Sequence, residues 1–282
     1  VFARGLMGNS MKTIGIMTID VRDQYFASAI HTIEVEDLKL GYNIFLCCTG
    51  EDLDEKKRYL KLLLEKRVDG IILVGSVFKE KNDNSHIIEA SGQVPVVLVN
   101  GYVKGENVFC TVCDDCHGVY TAANFLIAKG HRDIIYMYDA DTYSGQEKLK
   151  GFKLAAKEHG LDLMENSIIK VDKYLDGSLA AVKALIEKGS RFSAIVASED
   201  ILAAGVLKAL NGSGLKVPGD AAVIGYNNSL ISRCTTPELT SVDGKVEALS
   251  SGAVKLLIDV LEGRNVPSKT TILPELIVRE SV

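Results

Sequence analysis

The sequence lacks an excess of basic residues and any apolar run long enough to cross a membrane. It carries 32 Lys and Arg against 37 Asp and Glu, so its net charge is −5 at pH 7. A chain with this balance has no general electrostatic attraction for phosphate backbones or anionic membranes. Its apolar runs, such as residues 68–77, are interrupted by Asp, Gly or Lys and are too short for a membrane span. Contact with nucleic acid would therefore need a local basic element or a further part of the molecule.

Common enzyme signatures are missing as well. The sequence contains no G-x-G-x-x-G, no G-x-x-x-x-G-K-[ST], no H-E-x-x-H and no G-x-S-x-G. Residues 1–10 lack both an initiating Met and the apolar core of a signal peptide. We therefore expect the sequence to begin inside a longer, cytoplasmic chain that is not an enzyme and holds no cofactor.

The cysteine-rich stretch CTVCDDCHG raises the question of a metal. Cys113, Cys116 and His117 match the attachment signature of a c-type haem, and Cys110 adds a second C-x-x-C that could hold zinc or iron. Side chains alternate along a strand, however, so Cys110 and Cys113 should point to opposite faces, which does not suit two ligands of one ion. Haem attachment also requires export. We expect reduced thiols packed as small hydrophobes, with a metal site or a redox pair of Cys113 and Cys116 as alternatives.

Short β-rich runs alternate with helical stretches along the chain. Strands are predicted near residues 12–19, 42–48, 68–75, 94–100, 107–113, 132–138, 167–171, 192–198 and 221–227. Helices are predicted near residues 24–39, 52–66, 115–129, 146–158, 177–188, 200–211 and 246–261, before a final extended stretch at 270–281. Strands that are apolar on both faces, each followed by a helix, indicate parallel sheets covered on both sides. The chain should form two α/β lobes that divide near residues 129–131, with a ligand cleft at the carboxyl ends of the strands.

Eight stretches of the sequence carry a resemblance to a known family: KTIGIMTIDVRDQYFASAIHTIE, LLLEKRVDGIILVGS, VPVVLVN, LIAKGHRDIIYM, KLKGFKLAAKEHGL, IVASEDILAAGVLKALNGSGLKVPGDAAVIGYNN, TPELTSVDGKVEALSSGAVKLLIDVLEG and LPELIVRES. In this order they resemble the effector-binding domain of LacI/GalR-type bacterial transcription regulators. Single stretches are weak signals, but eight in register across nearly the whole chain are specific. The resemblance implies a two-lobed, periplasmic-binding-protein-like domain of type I. Its parts would be a hinge remnant at 1–10, an N-terminal lobe at 11–130 plus 243–268, and a C-terminal lobe at 131–242 plus 269–282.

The resemblance also implies partners. ARGLMGNSMKTIG looks like the end of the family's hinge helix, with Ala3 and Leu6 where that helix contacts DNA. In the family, hinge helices from the two subunits of a dimer lie in the minor groove, and Leu6 would be the apolar wedge. A helix-turn-helix upstream of this sequence would read the operator in the major groove. The expected partners are therefore a second copy of the chain, operator DNA and a small-molecule effector.

Effector contacts are carried over where the stretches align. Lys148 stands where sugar- and purine-responsive relatives usually have an Arg, and it keeps the charge without the planar fork. Glu199 replaces a common Asn, and Asn227 replaces a common Asp, so acid and amide are exchanged between two loops. The other candidates come from the first strand and helix or from nearby loops: Asp20, Tyr25, Phe26, His117, Tyr143 and Tyr174.

The predicted function is an effector sensor whose lobes close on a small polar metabolite, a sugar or sugar derivative, and so change operator affinity. An alternative is a periplasmic sugar-binding protein that serves a transporter or chemoreceptor. The missing export signal, the cysteines and the hinge remnant favour the regulator. A third class, a metalloenzyme built on the cysteine stretch, has the least support.

Overall fold

Two compact units make up the part of the chain that the computed structural model describes, residues 10–163 and 167–282. The first unit contains the residues up to Cys113 together with Val246–Ile272, and the second contains Asp114–Lys245 together with Leu273–Val282. Each unit is built around one six-stranded sheet. The α/β architecture expected from the sequence is therefore confirmed. Ala3 and Leu6, the predicted DNA contacts, lie outside the described residues.

The first unit has a fully parallel sheet with the strand order β11-β5-β4-β3-β1-β2. Numbered along the whole chain, its strands are β1 (Thr13–Thr18), β2 (Asn43–Cys48), β3 (Gly70–Val74), β4 (Val96–Val99), β5 (Val108–Cys113) and β11 (Lys269–Ile272). Its helices are α1 (Gln24–Lys39), α2 (Leu53–Glu65), α3 (Ser85–Ser91) and α9 (Val246–Leu261). All residues of the central strands β3 and β4 are buried, as a sheet covered on both faces requires.

The second unit has the strand order β12-β10-β9-β8-β6-β7, parallel except for β12, which runs antiparallel to β10. The strands are β6 (Ile134–Tyr138), β7 (Ile168–Lys170), β8 (Ala194–Ala197), β9 (Ala222–Tyr226), β10 (Thr240–Asp243) and β12 (Glu275–Ile277). The helices are α4 (Asp115–Ala128), α5 (Tyr143–Glu158), α6 (Tyr174–Glu187), α7 (Asp200–Gly212) and α8 (Leu230–Cys234). One apolar core lies under α4 and α5, and another lies under α6 and α7.

The division of the chain differs from the one expected near residues 129–131, because α4 belongs to the second unit. Two glycines let α4 approach its neighbours closely. A Cβ at Gly118 would lie 2.8 Å from the hydroxyl oxygen of Tyr226, and a Cβ at Gly151 on α5 would lie 2.1 Å from the carbonyl oxygen of Cys116. Packing against α5 and β9 therefore assigns this helix to the second sheet.

The C-terminal stretch also differs from the expectation of one extended element in the second lobe. β11 pairs in parallel with β5 in the first unit, whereas β12 pairs with β10 in the second. Pro274, which has no backbone N–H to donate to a ladder, separates the two strands. β10 was not expected as a strand from the sequence. Among the described helices, none has the length and apolar composition needed to cross a membrane.

Candidate functional site

A buried ammonium group lies at the carboxyl ends of the strands of the second unit. Lys148 projects from α5 and is only 5% exposed. Its Nζ donates a hydrogen bond of 2.9 Å to the carbonyl oxygen of Ser198, the residue that follows β8. The same Nζ lies 3.8 Å from the centre of the Tyr226 ring, at the end of β9. A carbonyl dipole and an aromatic face thus fix the position of the charge.

Two buried tyrosines lie in the core under α4 and α5, and one of them, Tyr226, contacts Lys148. Tyr226 donates a hydrogen bond of 2.6 Å to Oδ1 of Asp115, and both residues are buried. Tyr136, on β6, stacks on Phe152 with ring centres 5.2 Å apart. Burial raises the pKa of Tyr136 well above its usual value, and the charge of Asp115 adds to the shift. This hydroxyl therefore stays protonated and can only act as a neutral donor or acceptor.

Two buried hydroxyl groups lack a hydrogen-bond partner in the part of the chain that the structure describes. Among the described residues, no hydrogen-bond partner reaches the hydroxyl oxygen of Tyr136 or that of Ser198. Their residues are 0% and 4% exposed. A buried polar atom without a partner costs about 1–3 kcal/mol, so such atoms call for an explanation, and a bound polar molecule is one.

Glu199 and Asn227, the two exchanged residues, both lie in loops at this end of the sheet. Glu199 is the half-buried N-cap residue of α7, and its charge contributes to the raised pKa of Tyr136. Asn227 directly follows β9 and has a φ of 96°, with its N–H donating to the carbonyl oxygen of Val242 at 2.8 Å. The structure therefore brings Lys148, Glu199 and Asn227 to the same end of the same sheet.

Tyr143 and Tyr174, the two predicted aromatic contacts of the second unit, differ in exposure and in backbone conformation. Tyr143 is the half-buried first residue of α5, whose N-cap Thr142 accepts a hydrogen bond from the N–H of Gly145 at 3.2 Å. Tyr174 is the first residue of α6 and is 53% exposed, with a φ of 68°. A bulky residue in the left-handed region is uncommon, and strained residues of this kind concentrate at functional sites.

In the first unit, two predicted contacts already have protein partners. Arg22 donates to the carboxylate of Asp20 through its backbone N–H, Nε and Nη2, and these bonds lower the pKa of Asp20 to about 2. Phe26 lies over Gly75, where an added Cβ would be 2.5 Å from the ring, and it packs against the core of this unit. Its side chain therefore has a structural role whether or not it also meets an effector.

Tyr25 and Phe26 lie in the first turn of α1, as expected, where Asp23 caps the helix by accepting hydrogen bonds from both backbone N–H groups. The two rings meet edge to face with centres 5.5 Å apart. The hydroxyl oxygen of Thr18, at the carboxyl end of β1, is buried and has no partner among the described residues. Sequence reasoning did not identify Thr18, because a threonine that ends a strand is common.

The cysteine stretch is divided between a strand and a helix. Cys110 and Cys113 are both buried on β5; the Cys113 side chain lies in the core under α9, while Sγ of Cys110 is 3.5 Å from the carbonyl oxygen of Ser268. The alternation predicted for this strand is therefore confirmed. Asp114 caps α4 by accepting from the N–H of His117, whose imidazole is exposed. Within the described residues, no three His, Cys, Asp or Glu side chains form a group that could hold a metal ion.

Comparisons with known proteins agree with this architecture. The family model of the periplasmic binding protein-like domain matches residues 123–282. An HTH-type transcriptional regulator of Lachnoclostridium phytofermentans is 46% identical over 283 residues, which cover 100% of this chain and 85% of that protein. The HTH-type transcriptional repressor PurR of Proteus mirabilis is 30% identical over 283 residues, covering 99% of this chain and 82% of the repressor.

Solved structures with a similar fold also include transcription regulators. A sugar-binding transcriptional regulator of the LacI family from Escherichia coli, complexed with phosphate, superposes with a TM-score of 0.85 at 27% identity, covering 97% of this chain and 99% of that one. The chain belongs to the LacI/GalR family of transcriptional regulators. Another structure with a similar fold is a complex of the transcriptional regulator CelR with cellobiose, which superposes with a TM-score of 0.86 at 26% identity, covering 97% of this chain and 85% of that one. These relatives of the LacI/GalR chain are transcription regulators rather than enzymes.

Proposed function

We propose that this LacI/GalR domain senses a small polar metabolite, a sugar or sugar derivative, that binds at the carboxyl ends of the strands. The observation that carries the proposal is the buried ammonium of Lys148, fixed by the Ser198 carbonyl oxygen and the Tyr226 ring. Burial of an ammonium group to this depth lowers the stability of the folded protein, because the group loses its hydration. A ligand oxygen that accepts a hydrogen bond from Nζ would offset this cost.

The neighbouring groups favour a molecule rich in hydroxyl groups. Ser198 and Tyr136 offer buried hydroxyls that have no partner within the described part of the chain, and Glu199 offers a carboxylate that accepts from ligand hydroxyls. Tyr174 offers an exposed aromatic ring, and such rings stack on the apolar faces of sugars and on nucleobases. The cellobiose bound to CelR makes sugars the first class to test. Purine compounds are the second class, because Lys148 stands where sugar- and purine-responsive relatives usually have an Arg.

The signal would reach DNA through a homodimer. Asp20, Tyr25 and Phe26 of the first unit remain predicted contacts, and a metabolite that engages groups of both units would favour one arrangement of them. In a dimer, that change would alter the separation of the two N-terminal segments and hence operator affinity. Couplings of this type amount to about 1–3 kcal/mol. The regulator would act in the cytoplasm. We expect sedimentation velocity to show that its effector domain forms a dimer. A domain that stays monomeric at all concentrations would exclude transmission of the signal through a dimer.

A thermal-shift screen tests the proposal. The panel should contain mono- and disaccharides, including cellobiose and D-ribose, together with adenine, guanine and their nucleosides. A ligand present at 100 times its Kd stabilises the folded state by about 2.7 kcal/mol, which raises the Tm by several degrees. We expect at least one sugar to do so. A shift with purines alone would correct the ligand class, whereas no shift with any compound would count against the function itself.

A further inference from the structure

Two consecutive asparagines after β9 have left-handed backbone conformations. Asn227 has a φ of 96° and Asn228 a φ of 47°. Asparagine tolerates this region better than most residues, but two in succession need support from the surrounding structure. The Asn227–Asn228 turn carries one of the predicted effector contacts, so whatever holds the turn also orients that contact.

The carboxylate of Asp200, the first residue of α7, supports the turn. Its Oδ2 accepts hydrogen bonds from the N–H of Ser229 at 2.6 Å and from the hydroxyl of Ser229 at 2.8 Å. Its Oδ1 accepts from the hydroxyl of Ser241, on β10, at 2.6 Å. Asp200 is only 2% exposed. Hydrogen bonds to an ionised carboxylate are shorter and stronger than those between neutral groups, so these three hold Ser229, the residue next to the turn, firmly in place.

Other elements complete the support. Ser241 Oγ accepts a hydrogen bond from the N–H of Asn228 at 3.0 Å, and Arg279 donates from Nη2 to Oδ1 of Asn228 at 2.6 Å. Gly225, on β9, leaves room for the carboxylate, because a Cβ there would lie 2.3 Å from Oδ1 of Asp200. The turn is thus tied to α7, to β10 and to the C-terminal segment.

The charge of Asp200 depends on pH in an accessible range. Burial raises the pKa of this carboxyl to about 6, although the hydrogen bonds from Ser241 and Ser229 and the charge of Arg279 act in the opposite direction. The groups that face it are hydroxyls from Ser229 and Ser241, with Arg279 as the charged residue. Once protonated, the carboxyl carries an O–H donor among three groups that all donate to it, and the remaining hydrogen bonds lose the assistance of its charge.

We propose that ionised Asp200 is a positioning residue that holds the Asn227–Asn228 turn in its left-handed form, and that protonation of Asp200 releases the turn. The link to effector binding rests on the function proposed above, because only that function makes Asn227 a ligand contact. Affinity for a metabolite that contacts Asn227 should then fall at acid pH, although Asp200 does not touch the metabolite.

NMR spectroscopy of the ligand-free chain tests the proposal without any knowledge of the effector. The amide of Ser229 donates to Asp200, so its chemical shift should titrate with a midpoint near pH 6. The protection of this amide from hydrogen exchange, corrected for the intrinsic exchange rate, should fall roughly tenfold or more below that midpoint, because one charge-assisted hydrogen bond is lost. In Asp200→Asn, both readouts should be independent of pH, with the amide weakly protected throughout.

Asp220→Asn is the matched control, because the carboxylate of Asp220 also accepts a backbone N–H, that of Lys216 at 2.7 Å, in the same unit. This variant should keep the titration at Ser229. If Asp200→Asn does not fold, Ser241→Ala removes one of the three bonds and should move the midpoint upwards. A Ser229 amide that does not titrate between pH 5 and 8 in the unaltered chain overturns the proposal. A titrating amide combined with a failed ligand screen supports it and rejects only the proposed function.

Discussion

The ammonium of Lys148 lies 3.8 Å from the centre of the Tyr226 ring, and the hydroxyl of that ring donates to Asp115. The two contacts form a chain from a cation through an aromatic ring to a buried carboxylate. A desolvated cation–π contact contributes about 2 kcal/mol, and the phenol–carboxylate hydrogen bond contributes a similar amount. The relative position of the two side chains is therefore determined by the folded unit, before any metabolite binds.

Tyr136 and Tyr226 provide a matched comparison, because both are buried tyrosines of one core and, among the residues that the structure describes, only the hydroxyl of Tyr226 has a partner. We expect Tyr136→Phe to raise the free energy of unfolding by about 1 kcal/mol, since it removes an unsatisfied polar atom. Tyr226→Phe should lower it by about 1–3 kcal/mol, because Asp115 loses the hydrogen bond from this hydroxyl. Denaturant unfolding measures both. Equal losses in the two variants would mean that Tyr136 has a partner of similar value.

If the hydroxyl of Tyr136 contacts the metabolite, Tyr136→Phe should have opposite effects on stability and on binding. The variant should be more stable without ligand and should show a smaller ligand-induced rise in Tm than the unaltered chain. A rise of unchanged size would exclude this hydroxyl from the site.

Gly151 permits close packing of α5 on α4, since a Cβ there would lie 2.1 Å from a backbone oxygen of α4, in Cys116. Alanine is the better helix former by about 1 kcal/mol, but forcing two helices apart costs about 1–3 kcal/mol or more. We expect Gly151→Ala to lower the free energy of unfolding. Gly212→Ala is the control, because a Cβ at this position, at the end of α7, would have no described atom within 4 Å; the variant should be neutral or stabilising. Loss of stability in both variants would contradict the packing argument.

Asp37 makes stability depend on pH. It is fully buried on α1, neither carboxylate oxygen has a hydrogen-bond partner among the described residues, and burial raises its pKa to about 7. An acid with a raised pKa in the folded state takes up its proton more readily there than in the unfolded chain. Its contribution to stability is therefore fully present below the ordinary pKa of 3.8 and is lost as pH rises to about 7. The slope is about 1.4 kcal/mol per pH unit, or about 4 kcal/mol in total.

Urea unfolding between pH 4 and 8 checks this effect. The unaltered chain should lose stability across the window, and Asp37→Asn should remove most of that slope. Glu36→Gln, at the neighbouring and half-exposed position, should leave the slope as it is. If the pH dependence of stability persists in Asp37→Asn, it comes from another group and the assignment to Asp37 is wrong.

Periodic patterns were sufficient to predict most of the elements. α1 and α9 have the expected bounds, and the predicted strands differ from the observed ones by at most two residues at either end. α5 begins three residues earlier than expected because Thr142 caps it, and the pattern of apolar residues does not show that cap. β10 and the division of the last stretch by Pro274 depend on pairing between distant segments, which periodicity does not encode.

The candidate site could also be predicted only in part from the sequence. Lys148 could be selected from its alignment with an Arg of relatives, and the structure places it in a buried polar cluster. The sequence around Asp20 does not show that Arg22 donates hydrogen bonds to its carboxylate. Asp200 was missed, because its partners Ser229 and Ser241 are distant in sequence and only the fold brings them together.

The most direct test of the account is calorimetric titration of Lys148→Ala. The compound with the largest shift in the thermal screen should be titrated into the unaltered chain, into Lys148→Ala and into Lys150→Ala. Lys150 lies on the same helix, is exposed and pairs with Glu147 at 3.3 Å. We predict that Lys148→Ala loses affinity by tenfold or more, the value of a hydrogen bond to a charged group, while Lys150→Ala binds like the unaltered chain. Unchanged affinity in Lys148→Ala, with the variant still folded, would contradict the proposed site.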